Sequence, residues 1–588
     1  MTPTSRLCQS DLFQKRSEVL SRDARVILSY DRAKAIGLAH SISLHDLLNL
    51  TQKFWNIHVD PIVPLDGGAS TLLTIQYNLV AGTLARFAAT TRPELISLVD
   101  DVLQWNVIGQ FCLTELGRGL DIFRMKTSAT LLPSGDFDLH TPSPSDVKFM
   151  PPTVPVKGIP CIAVVFAQLY VDGECRGPRP FLVYLNDGYH MCKGVTSKQV
   201  HSNSIISTWI SYIILSQLRL LPPRGGSTPL NHSLTSFDHV RLPPSALLGD
   251  LDKSDTIHSD FMSSIWRVAV GSLALSSTAI PLLQMSSYIA ARYFQRRHIT
   301  GVHGNPVPIL SYRTQQLPLL TAISQIFVLK ALFKWAVGQF MDESLDVRAR
   351  HGIAACCKAV MIQHVQLASI SLSERLGAQG LFECNRLSNF FSEMRGVSIA
   401  EGDILGLSMR LVGDTLAQKY ALPSSTHPDD PLAFHEVSLF EEAIKAVSSS
   451  SDFTQAFMQY VQPRSQLMAE SIGHRMAYDA AVDQGVPKSL IDMYIVHAIK
   501  MDPAWYVEHG MFTRQNIAHM EDAALSALLP RLDDLLTELE AEIGPYVNAP
   551  ITSDERWDEF SKTLPVYSSP EAVVPVPQEH RVLQRAML

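Results

Sequence analysis

Cysteine is scarce and scattered in this chain. Its eight cysteines, at 8, 112, 161, 175, 192, 356, 357 and 384, form no CxxC pair and no Cys/His spacing suited to zinc. That argues against a disulfide framework and a zinc module, and no metal is expected; reduced, mostly buried thiols of an intracellular chain are. Charge is sparse as well, at 18% of residues, with 49 basic against 57 acidic side chains and a net charge of −8. No long basic run is present, so nucleic acid is not an expected partner. The first sixteen residues contain no apolar core, and no secretory leader is expected there. The closing Ala586-Met587-Leu588 meets the peroxisomal Ser-Lys-Leu pattern only at its ends, a weak signal that leaves peroxisome or cytoplasm open. One long uncharged run exists, Val268 to Ala291. Gly271, Pro281, Gln284 and six Ser/Thr make it a poor membrane span and a good central helix of a soluble bundle.

Apolar residues, by contrast, are plentiful at 46% of 588, enough for several cores rather than one. Residues 1–110 read as an N-terminal helical domain, with Ser43 as a cap before Leu44 and helical spacing over Thr91–Val107. Residues 111–250 change texture to a small β domain. There a β-rich run over Cys161–Tyr170 meets Phe181–Leu185 across an Asp172-Gly173 turn. Long helical patterns return over 251–425, where Ile323, Ile326, Phe327, Phe333 and Val337 share a face and Lys330 snorkels at its edge. A second helical domain follows at 426–548. The tail, 549–588, is rich in proline and reads as an extended strap or disordered. The expected fold class is therefore α+β, mainly α: helical domain, central β-barrel-like domain, helical bundle, second helical unit.

Four segments carry residues suited to chemistry. Phe111-Cys-Leu-Thr-Glu-Leu-Gly-Arg-Gly119 is a tight loop whose glycines let backbone approach a flat ligand, or an ordinary turn. Asp146-Val-Lys-Phe-Met-Pro-Pro152 is an aromatic–proline loop. Ala291–His298 is a basic cluster that suits a helix C-terminus and also a phosphate. Last, Gly377-Ala-Gln-Gly380 leads to Ile399-Ala-Glu-Gly-Asp403, which sets a carboxylate among apolar neighbours just before a helix. Partial desolvation there makes Glu401 a candidate base; a capping role for Glu401 or Asp403 is the alternative.

Taken in order, these segments resemble the acyl-CoA oxidase branch of the acyl-CoA dehydrogenase superfamily, over about residues 20–450. Thr114-Glu-Leu-Gly-Arg-Gly119 is similar to that family's Thr-Glu-Leu-Gly-His-Gly loop, and Lys126-Thr-Ser-Ala-Thr130 follows it. Pro308-Ile-Leu-Ser-Tyr-Arg-Thr-Gln-Gln316 resembles Ile-Leu-Asp-Phe-Gln-Thr-Gln-Gln. Gly377 to Glu401 keeps the family spacing without a gap. The resemblance implies FAD held by Thr114, the Pro152 segment, Arg297 and Gly380, with Arg297 reaching the phosphates across a homodimer contact. It implies Glu401 as the base that takes the α-proton of an acyl-CoA or related acyl thioester. The product is the 2-enoyl thioester, and the electrons pass to O₂ to give hydrogen peroxide.

Departures from the pattern carry information too. Pro152 replaces a glycine whose N–H reaches the flavin ring, and proline has no N–H to offer. Ala400, Ile404, Leu381 and Arg313 replace an aromatic, an asparagine, a tyrosine and a glutamine of the family. A specialised acyl substrate is the expectation. The alternatives are a dehydrogenase or desaturase that uses a protein electron acceptor, and an impaired relative acting as a binding subunit. Val200–Leu220, uncharged up to Arg219 and β-branched, reads as an extra insertion or a translated unspliced intron.

Overall fold

A computed structural model describes residues 2–198, 221 and 224–566. The 200–220 insertion lies outside the described residues, apart from Leu221 at its edge, and so does the tail from 567.

The N-terminal helices are α1 (Arg22–His40), α2 (Leu44–Asn49), α3 (Gln52–Val59) and α4 (Gly67–Leu73). Ser43 caps α2 in a reciprocal box with Asp46, as the local sequence demands. α4 runs on into a π-helical stretch, Thr74–Ala81, a wider turn common beside functional sites. Thr91–Val107 is only partly helical. α5 covers Ile96–Leu103 after a short turn at Pro93, and the chain is in a strand by Ile108.

The β domain is built on one long central strand. Introduced in chain order, its strands are β1 (Ile108–Cys112), β2 (Ser128–Leu131), β3 (Phe137–His140), β4 (Lys148–Phe149), β5 (Cys161–Val171), β6 (Glu174–Asn186), β7 (Val195–Lys198), β8 (Leu234–Phe237) and β9 (Val240–Leu242). β5 pairs antiparallel with β6 through the Asp172-Gly173 turn, where both residues have positive φ, as a tight hairpin requires. Along its other edge β5 holds β1 and β2 in succession, both parallel. β1 leaves at Val165 and β2 joins at Gln168. The loop 113–127 is thereby forced out of the sheet between them, and that ejection positions the Thr114–Gly119 segment. A second, three-stranded sheet runs β4-β8-β7.

The helical bundle holds α6 (Trp266–Ser277), α7 (Ala279–Arg296), α8 (Arg313–Met341), α9 (Val347–Arg375), α10 (Leu387–Ile399) and α11 (Ile404–Leu416). Three stretches among the described residues are long and apolar enough to cross a bilayer by length and composition: α6–α7, α8 and α9. All are packed inside the protein, the first with 89% of its most apolar window buried. Beyond them lie α12 (Pro431–Ser448), α13 (Ser465–Asp483), α14 (Lys488–Ile499), α15 (Arg514–Leu528) and α16 (Leu532–Ile543). Lys330 reaches Glu542 of α16 at 2.7 Å, the snorkelling expected of it.

The start of the tail is a correction. Asp554–Lys562 forms a helix, α17, and Pro550–Thr552 a short turn before it. Proline content alone suggested a strap, but the prolines flank the helix. Ser553 caps it, Asp554 and Glu555 occupy its first turn, and Arg296 clamps both Asp554 and the carbonyl of Ile551.

Candidate active site

Glu401 sits at a corner between two helices. α10 ends at Ile399, and Glu401 and Gly402 both take positive φ, +52° and +101°. Asp403 then caps α11, accepting from the Gly406 N–H at 3.0 Å. The capping duty falls to Asp403, which leaves the Glu401 carboxyl for other work. A non-glycine residue in the left-handed region costs free energy and must be held there. Two side chains do the holding. Lys358 of α9 donates to the carbonyls on either side, Ala400 and Gly402, the latter at 2.6 Å, and Ser272 donates to the Glu401 carbonyl.

The carboxyl packs on Gly271 of α6, where any Cβ would overlap Oε2. Asn78, from the π-helical stretch, donates to Oε2 at 3.1 Å and to the Arg267 carbonyl at 3.0 Å. Arg267 is fully buried. It donates to the carbonyls of Asn78 and Leu47 and lies over the rings of Phe54 and Trp266, while its Nη2 has no partner. No carboxylate forms an ion pair with Arg267 or Lys358 among the described residues. Burial pushes Glu401 up to about 8, against the opposing pull of Lys358 and Arg267. Burial likewise lowers Lys358 to about 8 and Arg267 to about 9, with Glu401 opposing both. The result is a carboxyl held well above the ordinary carboxylate range by burial, with two cations, Lys358 and Arg267, opposing that rise.

Across from this corner lies the ejected β-domain loop. Glu115 closes its base, accepting from the N–H groups of Lys126 and Thr127, each at 2.8 Å, and pairing with buried Lys148 at 3.2 Å. The two segments noted separately in the sequence, 111–119 and 146–152, are thus halves of one structure. Thr114 O accepts from Phe149 N at 2.8 Å. Pro152 is buried beside Thr153, whose hydroxyl lies within 2.8 Å of Ser197, Ser233 and Thr235. Open space lies above Gly119, and Leu120 lies 3.6 Å from where a Cβ on Gly406 would be. Leu116, Leu120 and Leu405 are exposed, Leu120 at 79%. The candidate cleft between loop and α11 is thus bordered by uncovered apolar side chains.

The remaining predicted residues are spread out. Gly380 is buried where a Cβ would overlap the Ser373 carbonyl, and its own carbonyl accepts from Ser373 and Ser388. Arg297 is exposed just past the end of α7 and forms no ion pair among the described residues; its neighbours Arg292 and Arg296 are spent on Glu540 and Asp554. Arg313 is turned away, pairing with Asp522 of α15 at 3.1 Å. Sequence reading missed Asn78, Arg267 and Lys358. A lone cation inside an apolar helix was the available signal for the last two. Among the described residues, one trio has ligand atoms within metal-binding reach of one another, His140, Asp238 and His239 on the β-domain surface, outside this cleft.

Residues 270–412 match the family described as "Acyl-CoA oxidase, C-alpha1 domain". Peroxisomal acyl-coenzyme A oxidase 1 of Arabidopsis thaliana is 24% identical over 335 residues, 53% of this chain and 47% of that one. The chain spans about half the length of the curated relatives it matches. Acyl-CoA oxidase 1 of Yarrowia lipolytica superposes with a TM-score of 0.78 at 15% identity, covering 100% of this chain and 92% of that one. Acyl-CoA oxidase 2 of Caenorhabditis elegans, solved with FAD, ascaroside-CoA and ATP, gives 0.67 at 15% identity, covering 97% and 96%.

Proposed function

We propose that the chain is a member of the acyl-CoA oxidase family and that it oxidises an acyl thioester to the 2-enoyl thioester with Glu401 as base. The observation that carries the reading is the Glu401 corner: a carboxyl freed from capping, fixed in a strained conformation and poised near neutrality by burial.

The residues present fit FAD at the cleft, with one exception. Backbone around Thr114 and Gly119, an open surface above Gly119 and apolar rims on both sides suit a flat, largely apolar ring. Pro152 offers no donor. Thr114, Gly119 and the Pro152 segment would hold the ring side, and exposed Arg297 suits phosphate, reached from a second copy in a homodimer. FAD held there would supply a two-electron acceptor for the β-hydride, with O₂ as the terminal oxidant and hydrogen peroxide as its product. Glu401 does the chain's own chemistry. Its deprotonated carboxylate takes the α-proton, after which the neutral acid is the form that burial favours. Lys358 and Ser272 hold the backbone so that the carboxylate keeps one orientation. The peroxisomal compartment named for relatives is extended to this chain as part of the same proposal.

The decisive variant is Glu401→Gln. The flavin-loaded protein should keep its visible absorbance but no longer be bleached by acyl-CoA under anaerobic conditions. Full bleaching would remove the base from Glu401. Peroxide release by the wild type separates an oxidase from a dehydrogenase using a protein acceptor. A colourless protein that takes up no FAD would favour a binding subunit.

A further inference from the structure

A cavity of about 50 Å³ lies between α3, α4, the α6–α7 pair and α10. It lies along the two helices, α6 and α10, that lead to the Glu401 corner. Gly271 touches Glu401, and Leu275 and Thr278 line the cavity one and two turns further on. From the other side, Val397 and Glu393 of α10 line it as the chain runs back from Glu401. By helix rise, Glu393 lies about 9 Å from the end of α10. A thioester with its α-carbon at Glu401 and its acyl chain in this cavity would bring the middle of that chain to Glu393.

That wall is apolar apart from six side chains. Four are hydroxyls already satisfied within the protein: Ser70 donates to Val63 O, Thr71 pairs with Ser227, Thr74 donates to Ser70 O and Thr278 to Leu275 O. Two retain capacity. His58 is 4% exposed and its ring forms no hydrogen bond to another side chain among the described residues. Burial holds it neutral, down to about 4. The Glu393 carboxyl forms no ion pair among the described residues, accepts from the Ser227 N–H at 2.7 Å with the Thr228 N–H and Arg224 also drawing on it, and packs where Gly67 leaves room. Burial lifts it to about 7. A plain methylene chain would leave both groups desolvated against hydrocarbon, which is costly for polar groups.

We propose that Glu393 and His58 form a specificity site for a hydroxyl group carried in the middle of the acyl chain. The inference rests on the acyl-thioester reading above and names its substrate class as hydroxylated acyl thioesters. A hydroxyl there donates to the Glu393 carboxyl oxygen and meets the neutral His58 ring, which replaces the water both groups lost on folding.

The test compares dodecanoyl-CoA with its monohydroxylated isomers on the FAD-loaded enzyme. Wild type should prefer one mid-chain isomer by about 10²-fold or more in kcat/KM, since a site built for a hydroxyl rejects its absence strongly. Glu393→Leu should collapse that ratio by raising the rate on the plain chain. Preference for plain dodecanoyl-CoA in the wild type, or an unchanged ratio in the variant, overturns the inference. Should Glu393→Leu fail to fold, His58→Phe decides by the same ratio. Equilibrium binding of the same thioesters to Glu401→Gln holoenzyme separates the two readings. A binding preference without wild-type turnover sinks the oxidase reading and keeps the specificity site. Turnover without any preference does the reverse.

Discussion

Two buried lysines each stand near a glutamate in this protein, Glu115 fully enclosed and Glu401 half-buried, and the pairs are built on opposite principles. Lys148 and Glu115 lie 3.2 Å apart, both fully enclosed. Glu115 also accepts two backbone N–H groups and Lys148 also reaches the Leu113 carbonyl, so nothing is left over. At the other corner Lys358 gives its protons to backbone carbonyls, and Glu401 accepts from Asn78 instead. Asn78 Oδ1 and Arg267 Nη2 remain without partners. The first pair is saturated and locks a loop. The second is left incomplete, and it is the incomplete one that carries a proton near neutrality.

The sharpest break in that contrast is Glu401→Gln. Turnover should fall by about 10²–10⁴-fold, the range a positioned base supplies, with flavin absorbance and circular dichroism unchanged. Lys148→Met comes next and does the opposite. Leaving Glu115 buried without its cation should cost about 3–5 kcal/mol of stability, read as a lower denaturant midpoint at constant slope. Lys358→Met should mainly move a pH profile. In the wild type, kcat/KM should rise with pH through about 8 as Glu401 loses its proton. Removing the nearby cation shifts that rise upward, and a profile left in place would show that Lys358 does not act on the carboxyl. Stability carries the same signature with the reverse sign. The native state holds the Glu401 proton more tightly than the unfolded chain does. Its contribution is thus fully present below the ordinary glutamate value of 4.5 and is lost as pH climbs through about 8. In Glu401→Gln that slope should flatten. The smallest effect is Ser553→Ala, which should cost about 1 kcal/mol locally and speed hydrogen exchange in α17.

Legibility in the sequence followed the same divide. Features set by neighbours along the chain could be read: the Asp172-Gly173 hairpin, the Ser43 cap, a carboxylate just before a helix at 401. Features set by distant packing could not. Asn78, Gly271, Arg267 and Lys358 reach Glu401 from three separate helices, and no spacing rule links them. The tail misled because proline was weighed without its position. Pro550 opens a short helical turn and Pro565 follows α17, both places that tolerate it.

The left-handed turn at Glu401 has an evolutionary consequence. It divides labour between the helices it joins: α10 faces the cavity, whereas α11 faces the β-domain loop through Gly406 and Leu120. On the proposed function, the residues that would read the acyl chain and those that would border the flavin ring thus fall on independent stretches of sequence. Substitutions on α10 could then retune which chain is accepted while α11 stays as it was, with Glu401 fixed at the seam.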